Sequence, residues 1–173
     1  MIIKDNFLNQ SEFDYLNNHI MAKDFPWYFC DEKIVGSDLD YNYHFIHNVI
    51  QNGNIDSPIT FDILKPLLNK LNAKTIFRVK INLTTKTHKL IEYPLHRDIN
   101  IKDEKDIEKL RKDNYKIAIY YMNTNNGYTY FEDKKKVESV VNRLVKFDNI
   151  TYHSGTTCTD KNKRVVININ YEI

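Results

Sequence analysis

From residue 75 onward the chain keeps a two-residue rhythm. Thr75-Ile76-Phe77-Arg78-Val79-Lys80-Ile81-Asn82-Leu83 places Phe77, Val79, Ile81 and Leu83 on one face of a strand, and Ile76, Arg78, Lys80 and Asn82 on the other. The polar face is solvated by default; the alternative is that it lines a polar cavity. Residues 116–122 read as a core strand, and Asn123-Thr124-Asn125-Asn126-Gly127 as a hairpin turn on its Asn-Gly signal. Residues 128–132 form the return strand, 133–136 a charged tight turn and 137–141 the next strand. Residues 143–147 follow after a break at Asn142, and 156–163 make a polar turn. The last strand, 164–171, alternates through Val165, Ile167, Ile169 and Tyr171. Many short, evenly spaced strands argue for a sandwich or barrel rather than a parallel α/β sheet.

The first 74 residues carry a different period. Ser11 reads as a helix cap, and Phe13, Leu16 and Ile20 fall at helical spacing, with His19 on the polar side. Residues 25–35 are aromatic at first and suggest entry into a strand, 36–38 a turn, and 41–51 another strand. His44 and His47 would face opposite ways on it and read as ordinary surface or core histidines. Ser57-Pro58 opens a second helix, since proline suits the first turn. Its apolar stripe is Ile59, Ile63, Leu64, Leu67, Leu68 and Leu71, and Pro66 should bend or divide it. Both helices should pack on the outside of a sheet.

Length and composition narrow the class. A chain of 173 residues, 42% hydrophobic and 28% charged, suits one soluble domain with its own core. A net charge of +2 without a basic stripe gives no nucleic-acid footprint. No apolar run is long enough to span a bilayer, and the N-terminus does not read as a signal peptide, so a cytoplasmic protein is expected. Cys30 and Cys158 form neither a disulfide framework nor a metal pair and read as reduced thiols.

The candidate chemistry starts at Tyr93-Pro94-Leu95-His96-Arg97-Asp98. In an extended strand His96 and Asp98 share a face while Arg97 points away. Two ligands do not hold a metal tightly, and His153 supplies a third. Two histidines and a carboxylate make the facial triad of a non-haem Fe(II) site, which leaves other positions open. Arg164 opens the last strand, and its fixed fork of donors suits a carboxylate gripped at both oxygens. The charged segment 101–114 separates the first two ligands from the next strand and is a solvated loop, a surface helix or a lid.

Together His96-x-Asp98, His153 and Arg164 resemble the Fe(II)/2-oxoglutarate-dependent oxygenases. Tyr120-Tyr121-Met122-Asn123, Asn126-Gly127-Tyr128-Thr129-Tyr130-Phe131, Asn142-Arg143-Leu144-Val145-Lys146-Phe147, His153-Ser154-Gly155 and Arg164-Val165-Val166-Ile167-Asn168 look like successive core strands of the prolyl-hydroxylase-like branch. The runs 123–129 and 155–160 are similar to small bacteriophage-encoded members; the cytoplasm would then be that of the host. The resemblance implies a mostly β protein with flanking helices: a double-stranded β-helix, or jelly roll. Residues 1–173 form one domain, with 1–74 as mainly helical support plus edge strands and 75–173 as the jelly-roll core.

The resemblance further implies that His96, Asp98 and His153 bind Fe(II). Arg164 would pair with the distal carboxylate of 2-oxoglutarate, Tyr121 would donate a hydrogen bond to that carboxylate, and Thr129 would lie beside the co-substrate. Two positions depart from the pattern: Asn126-Gly127 replaces a Gly-Gly pair, and Thr84 stands where a tyrosine is frequent. The implied activity is a dioxygenase using 2-oxoglutarate and O2 to hydroxylate an unactivated C–H bond, with release of succinate and CO2. The substrate is a protein or peptide side chain, with proline first. The alternatives are a small molecule such as a free amino acid or nucleobase, and a non-catalytic metal-containing binding module. Loops 36–40 and 102–114 would set the choice; the sequence assigns no oligomeric state.

Overall fold

The computed structural model describes residues 1–31, 43–98 and 114–173. In chain order the elements are β1 (Ile2–Lys4), α1 (Gln10–Ile20), β2 (Tyr28–Cys30), β3 (His44–Gln51), β4 (Asn54–Ile55), α2 (Pro58–Leu71), β5 (Thr75–Thr85), β6 (Tyr115–Tyr121), β7 (Tyr128–Phe131), β8 (Lys136–Glu138), β9 (Arg143–Asp148), β10 (His153–Gly155) and β11 (Lys163–Glu172). The turn at 36–38, the loop 36–40 and the charged segment 102–113 lie outside the described residues. No helix among the described residues is long and apolar enough to cross a membrane.

The strands form two antiparallel sheets. The larger runs β1-β9-β6-β11-β5-β3-β2, with β4 on β3, and the smaller runs β10-β7-β8. Alternation along β6, β9 and β11 divides their side chains between two cores. Ile117, Ile119, Tyr121, Val145, Phe147 and Val166 meet Phe131 and Val137 of the smaller sheet. Ala118, Tyr120, Leu144, Val165, Ile167 and Ile169 point the other way, towards Phe13, Leu16 and Ile20 of α1 and Leu64, Leu67 and Leu68 of α2. These central strands are apolar on both faces because both faces are covered. The architecture is the expected jelly roll with helices on one side.

β5 departs from this. Val79, Ile81 and Leu83 join the helix-side core, while Arg78, Lys80, Asn82 and Thr84 face inward onto a cavity. The cavity reading of the polar face is therefore the one observed. One detail of its phase differs from the alternation. Arg78 pairs with Asn170 and Ile76 with Tyr171, so Phe77 is an extra residue in the ladder. This β-bulge returns Ile76 to the helix-side core rather than leaving it beside Arg78.

Three local readings are corrected. The cap of α1 is Asn9, not Ser11: the Asn9 side chain accepts from the Glu12 amide (2.9 Å) while Glu12 accepts from the Asn9 amide (3.1 Å). Along α2 the helix runs through Pro66 undivided, and Ile59 is 79% exposed, so the buried stripe begins at Thr60 and Ile63. Residues 123–127 do not close a hairpin, because β6 pairs with β9 and β11 whereas β7 belongs to the other sheet. They form a corner between sheets. Its asparagines are its fasteners: Asn123 donates to the Lys163 carbonyl (2.8 Å), Asn125 accepts from the Gly127 amide (3.0 Å) and Asn126 donates to Thr159 (2.7 Å).

Asn142 pins the N-terminal segment to the barrel. It sits at φ 59°, accepts from the Leu8 amide (2.9 Å) and the Tyr120 hydroxyl (2.8 Å), and donates to the Leu8 carbonyl (2.9 Å). Asn142→Ala leaves those buried groups unpaired and puts a Cβ residue lacking a polar tip in the left-handed region. A loss of about 3 kcal/mol is expected at roughly 1–3 kcal/mol per unpaired group, read as a lower denaturation midpoint. A melt indistinguishable from wild type would contradict it.

Candidate active site

A cavity of ≈ 260 Å³ opens between the inner face of β5–β11 and β10. At one end the segments carrying His96 and His153 are tied by reciprocal backbone hydrogen bonds, each 3.0 Å, which bring the two rings to 5.1 Å between centroids. His96 Nδ1 lies 3.2 Å from the Pro94 carbonyl and His153 Nδ1 3.1 Å from the Thr151 carbonyl. Carbonyls only accept, so each ring donates through Nδ1 and leaves its Nε2 lone pair for a metal.

Asp98 completes the cluster. Its Oδ1 is 3.8 Å from His96 Nε2, and one ligand atom from each of His96, Asp98 and His153 lies within 4.8 Å of the others. Its Oδ2 accepts from Arg78 (2.8 Å) and Asn168 (3.2 Å), which fixes the carboxylate from behind. Burial works against ionisation of Asp98, but Arg78, His153, His96 and Lys80 outweigh it and hold the acid below the ordinary carboxylate range. Burial likewise pushes His153 down, against the pull of Asp98. A carboxylate and two imidazoles, each oriented by an outer partner, fit a divalent iron.

The other end of the cavity holds Arg164, 4% exposed. Its Nε donates to Ser139 Oγ (2.8 Å) and one terminal nitrogen to Thr129 Oγ1 (3.3 Å), but it forms no ion pair with any described carboxylate. Two glycines make room for it. A Cβ on Gly127 would fall 2.8 Å from Arg164 Cδ and 2.6 Å from the Thr157 carbonyl, and one on Gly155 would fall 3.3 Å from the other terminal nitrogen. A buried cation without a counter-charge among the described residues costs several kcal/mol, so the site suits an anion.

Solved structures share this architecture. A prolyl hydroxylase from Trichoplax adhaerens, in complex with a hypoxia inducible factor peptide fragment, is 14% identical at a TM-score of 0.66, covering 99% of this chain and 82% of its own. A 2OG-Fe(II) oxygenase family oxidoreductase from Burkholderia pseudomallei gives 11% identity, a TM-score of 0.62 and coverages of 99% and 84%. A Pseudomonas putida prolyl-4-hydroxylase gives 14%, 0.59, 99% and 91%. The chain has the 2-oxoglutarate–Fe(II) oxygenase fold. No protein-family model and no curated protein sequence matches it.

Within this oxygenase fold the remaining residues take definite places. Tyr121 is fully buried, and its hydroxyl donates to Thr129 Oγ1 (2.8 Å) rather than entering the cavity itself. Thr129 lines the cavity. Its oxygen accepts from both Tyr121 and Arg164, so its own proton is left to donate inward. Thr84 pairs with Arg164 across the ladder and lines the cavity with a buried hydroxyl that has no partner among the described residues.

His47 is a core histidine, bonded to the Pro26 carbonyl (2.8 Å) and to Ser57 and Thr60 hydroxyls (3.0 Å each). His44, on the opposite face and also read as an ordinary surface or core histidine, instead lines the cavity. Asn168 and Arg78, the partners of Asp98, were also without an assigned role. The available signal was polarity in the wrong place: Asn168 interrupts an apolar strand, and Arg78 belongs to a polar face in the middle of a sheet.

Proposed function

We propose that this chain is an Fe(II)- and 2-oxoglutarate-dependent dioxygenase that hydroxylates an unactivated C–H bond on a protein or peptide side chain, releasing succinate and CO2. The observation that carries this reading is the pairing, in one cavity, of the His96–Asp98–His153 cluster with a buried Arg164 that has no counter-charge among the described residues. The bound iron would couple oxidative decarboxylation of the co-substrate to insertion of one oxygen atom into the C–H bond. His96, Asp98 and His153 would hold it from one side. Arg164 and Thr129 would take the distal carboxylate, with Tyr121 orienting Thr129 from behind and Thr84 adding a hydroxyl beside it. The peptide preference draws on the shared fold with prolyl hydroxylases, among them the one solved with a peptide fragment bound.

The test is an anaerobic titration of metal-free protein with Fe(II) and 2-oxoglutarate, watching for the weak visible charge-transfer band that needs both on one metal. A saturable band supports the assignment. Folded protein that gives no band refutes it.

A further inference from the structure

Arg164 accounts for only one of the cations in the cavity. Arg78, Lys80, Arg97 and Arg164 all line it, and Asp98 is the one carboxylate among the described residues that does. Four cations less one carboxylate leave three positive charges. Loading the site does not change this balance, because Fe(II) and the 2-oxoglutarate dianion are equal and opposite. Among the described residues, what the cavity still lacks is negative charge.

Lys80 is where that lack is most sharply placed. It stands in register with Asn168, the residue that holds Asp98, so it belongs to the metal end. Arg164 is in register with Thr84, four residues on, which is about 13 Å along the strand at roughly 3.3 Å per residue. The Lys80 ammonium makes no ion pair or hydrogen bond with any described residue, while Asp98 Oδ2 is already shared by Arg78 and Asn168. Burial, and then Arg78, hold Lys80 below the ordinary lysine range, against the weaker pull of Asp98. Arg97, expected to point away from His96 and Asp98, is stacked over the Tyr152 ring at 3.9 Å and lines the same cavity.

Resting on the oxygenase reading above, we infer that Lys80 is a substrate-binding residue that receives a carboxylate of the molecule being oxidised. At ≈ 260 Å³ the cavity lies below the roughly 300–1,000 Å³ of a typical ligand pocket, and on the reading above the co-substrate takes part of it. The part of the substrate that enters is therefore the size of a side chain or a small amino acid, which favours a carboxylate over a phosphate with its sugar. Two sources share that chemistry: the main-chain carboxylate of a free amino acid and an acidic side chain of a peptide.

The test uses full-length wild type, Lys80→Gln and Lys80→Arg, each loaded with Zn(II) and 2-oxoglutarate, and reads ligand binding by saturation-transfer NMR. The probes are acetate, acetamide and methyl phosphate, then glycine against glycinamide, and acetyl-glutamyl-amide against acetyl-glutaminyl-amide. Acetate is expected to bind wild type about tenfold or more tightly than acetamide, to lose that margin in Lys80→Gln and to keep it in Lys80→Arg. The amino-acid or peptide pair that shows the same Lys80-dependent margin names the source.

The inference is overturned if wild type shows no margin, if the margin survives in Lys80→Gln, or if neither pair shows it. It is also overturned if methyl phosphate outbinds acetate through Lys80, or if Lys80→Gln needs far more 2-oxoglutarate to develop the Fe(II) band. Absence of that band in wild type strikes the oxygenase reading itself, so the two failures are told apart.

Discussion

Asp98→Ala is expected to abolish the Fe(II)–2-oxoglutarate band and all succinate formation. The carboxylate is the only anionic ligand in the cluster, and its second oxygen is the anchor for Arg78 and Asn168. Its removal costs metal affinity more than the roughly 10–100-fold that follows loss of an outer-shell partner. Because alanine also strands Arg78, a folding defect would imitate a binding defect. Asp98→Asn separates the two. It keeps the size and a hydrogen-bonding oxygen for Asn168 but not the charge, so it should melt near wild type and still give no band. A full-strength band in a folded Asp98→Asn protein would remove Asp98 from the ligand set.

Arg164→Ala should leave Fe(II) affinity close to wild type and weaken 2-oxoglutarate binding by about 2–5 kcal/mol, or roughly 30-fold to several thousand-fold. Lysine should recover only part of this, because a point charge does not reproduce the two-pronged fork. The thermal behaviour discriminates further. Arg164 is a buried charge without an ion-pair partner among the described residues, so the metal-free, ligand-free protein should lose little stability without it. Wild type should gain stability as 2-oxoglutarate and metal are added, and the variant should not. If Arg164→Ala instead melts far below wild type with no ligand present, the guanidinium is structural and the co-substrate assignment falls.

How much of this was legible in the sequence depended on whether the signal was local. His96 and Asp98 are two residues apart on one extended segment, so their shared face follows from strand geometry. Alternation along 164–171 likewise put Val165, Ile167, Ile169 and Tyr171 on one face, the face that meets the helices. Partners drawn from distant strands left no such trace: nothing near Asp98 announces that Arg78 and Asn168 will meet it. Residues 123–127 failed in the opposite sense. Asn-Gly is a sound local hairpin signal, yet β6 already has β9 and β11 on its two edges, so β7 had no edge of β6 to pair with. The cap of α1 was readable, since Asn9-x-x-Glu12 is itself a capping box, but Ser11 offered a competing start.

The extra residue at Phe77 bears on how a protein of this kind is able to change over generations. Below it Ile76 serves the helix layer; above it Arg78, Lys80, Asn82 and Thr84 serve the cavity, with apolar residues alternating between them. Because a strand has period two, one codon gained or lost between 78 and 84 would exchange the faces of part of the strand, driving charges under the helices and isoleucine into the site. A length change in this wall is thus tolerated only where a bulge takes it up, as at Phe77. Elsewhere along it new specificities have to arise one point substitution at a time, with the strand's frame inherited unchanged.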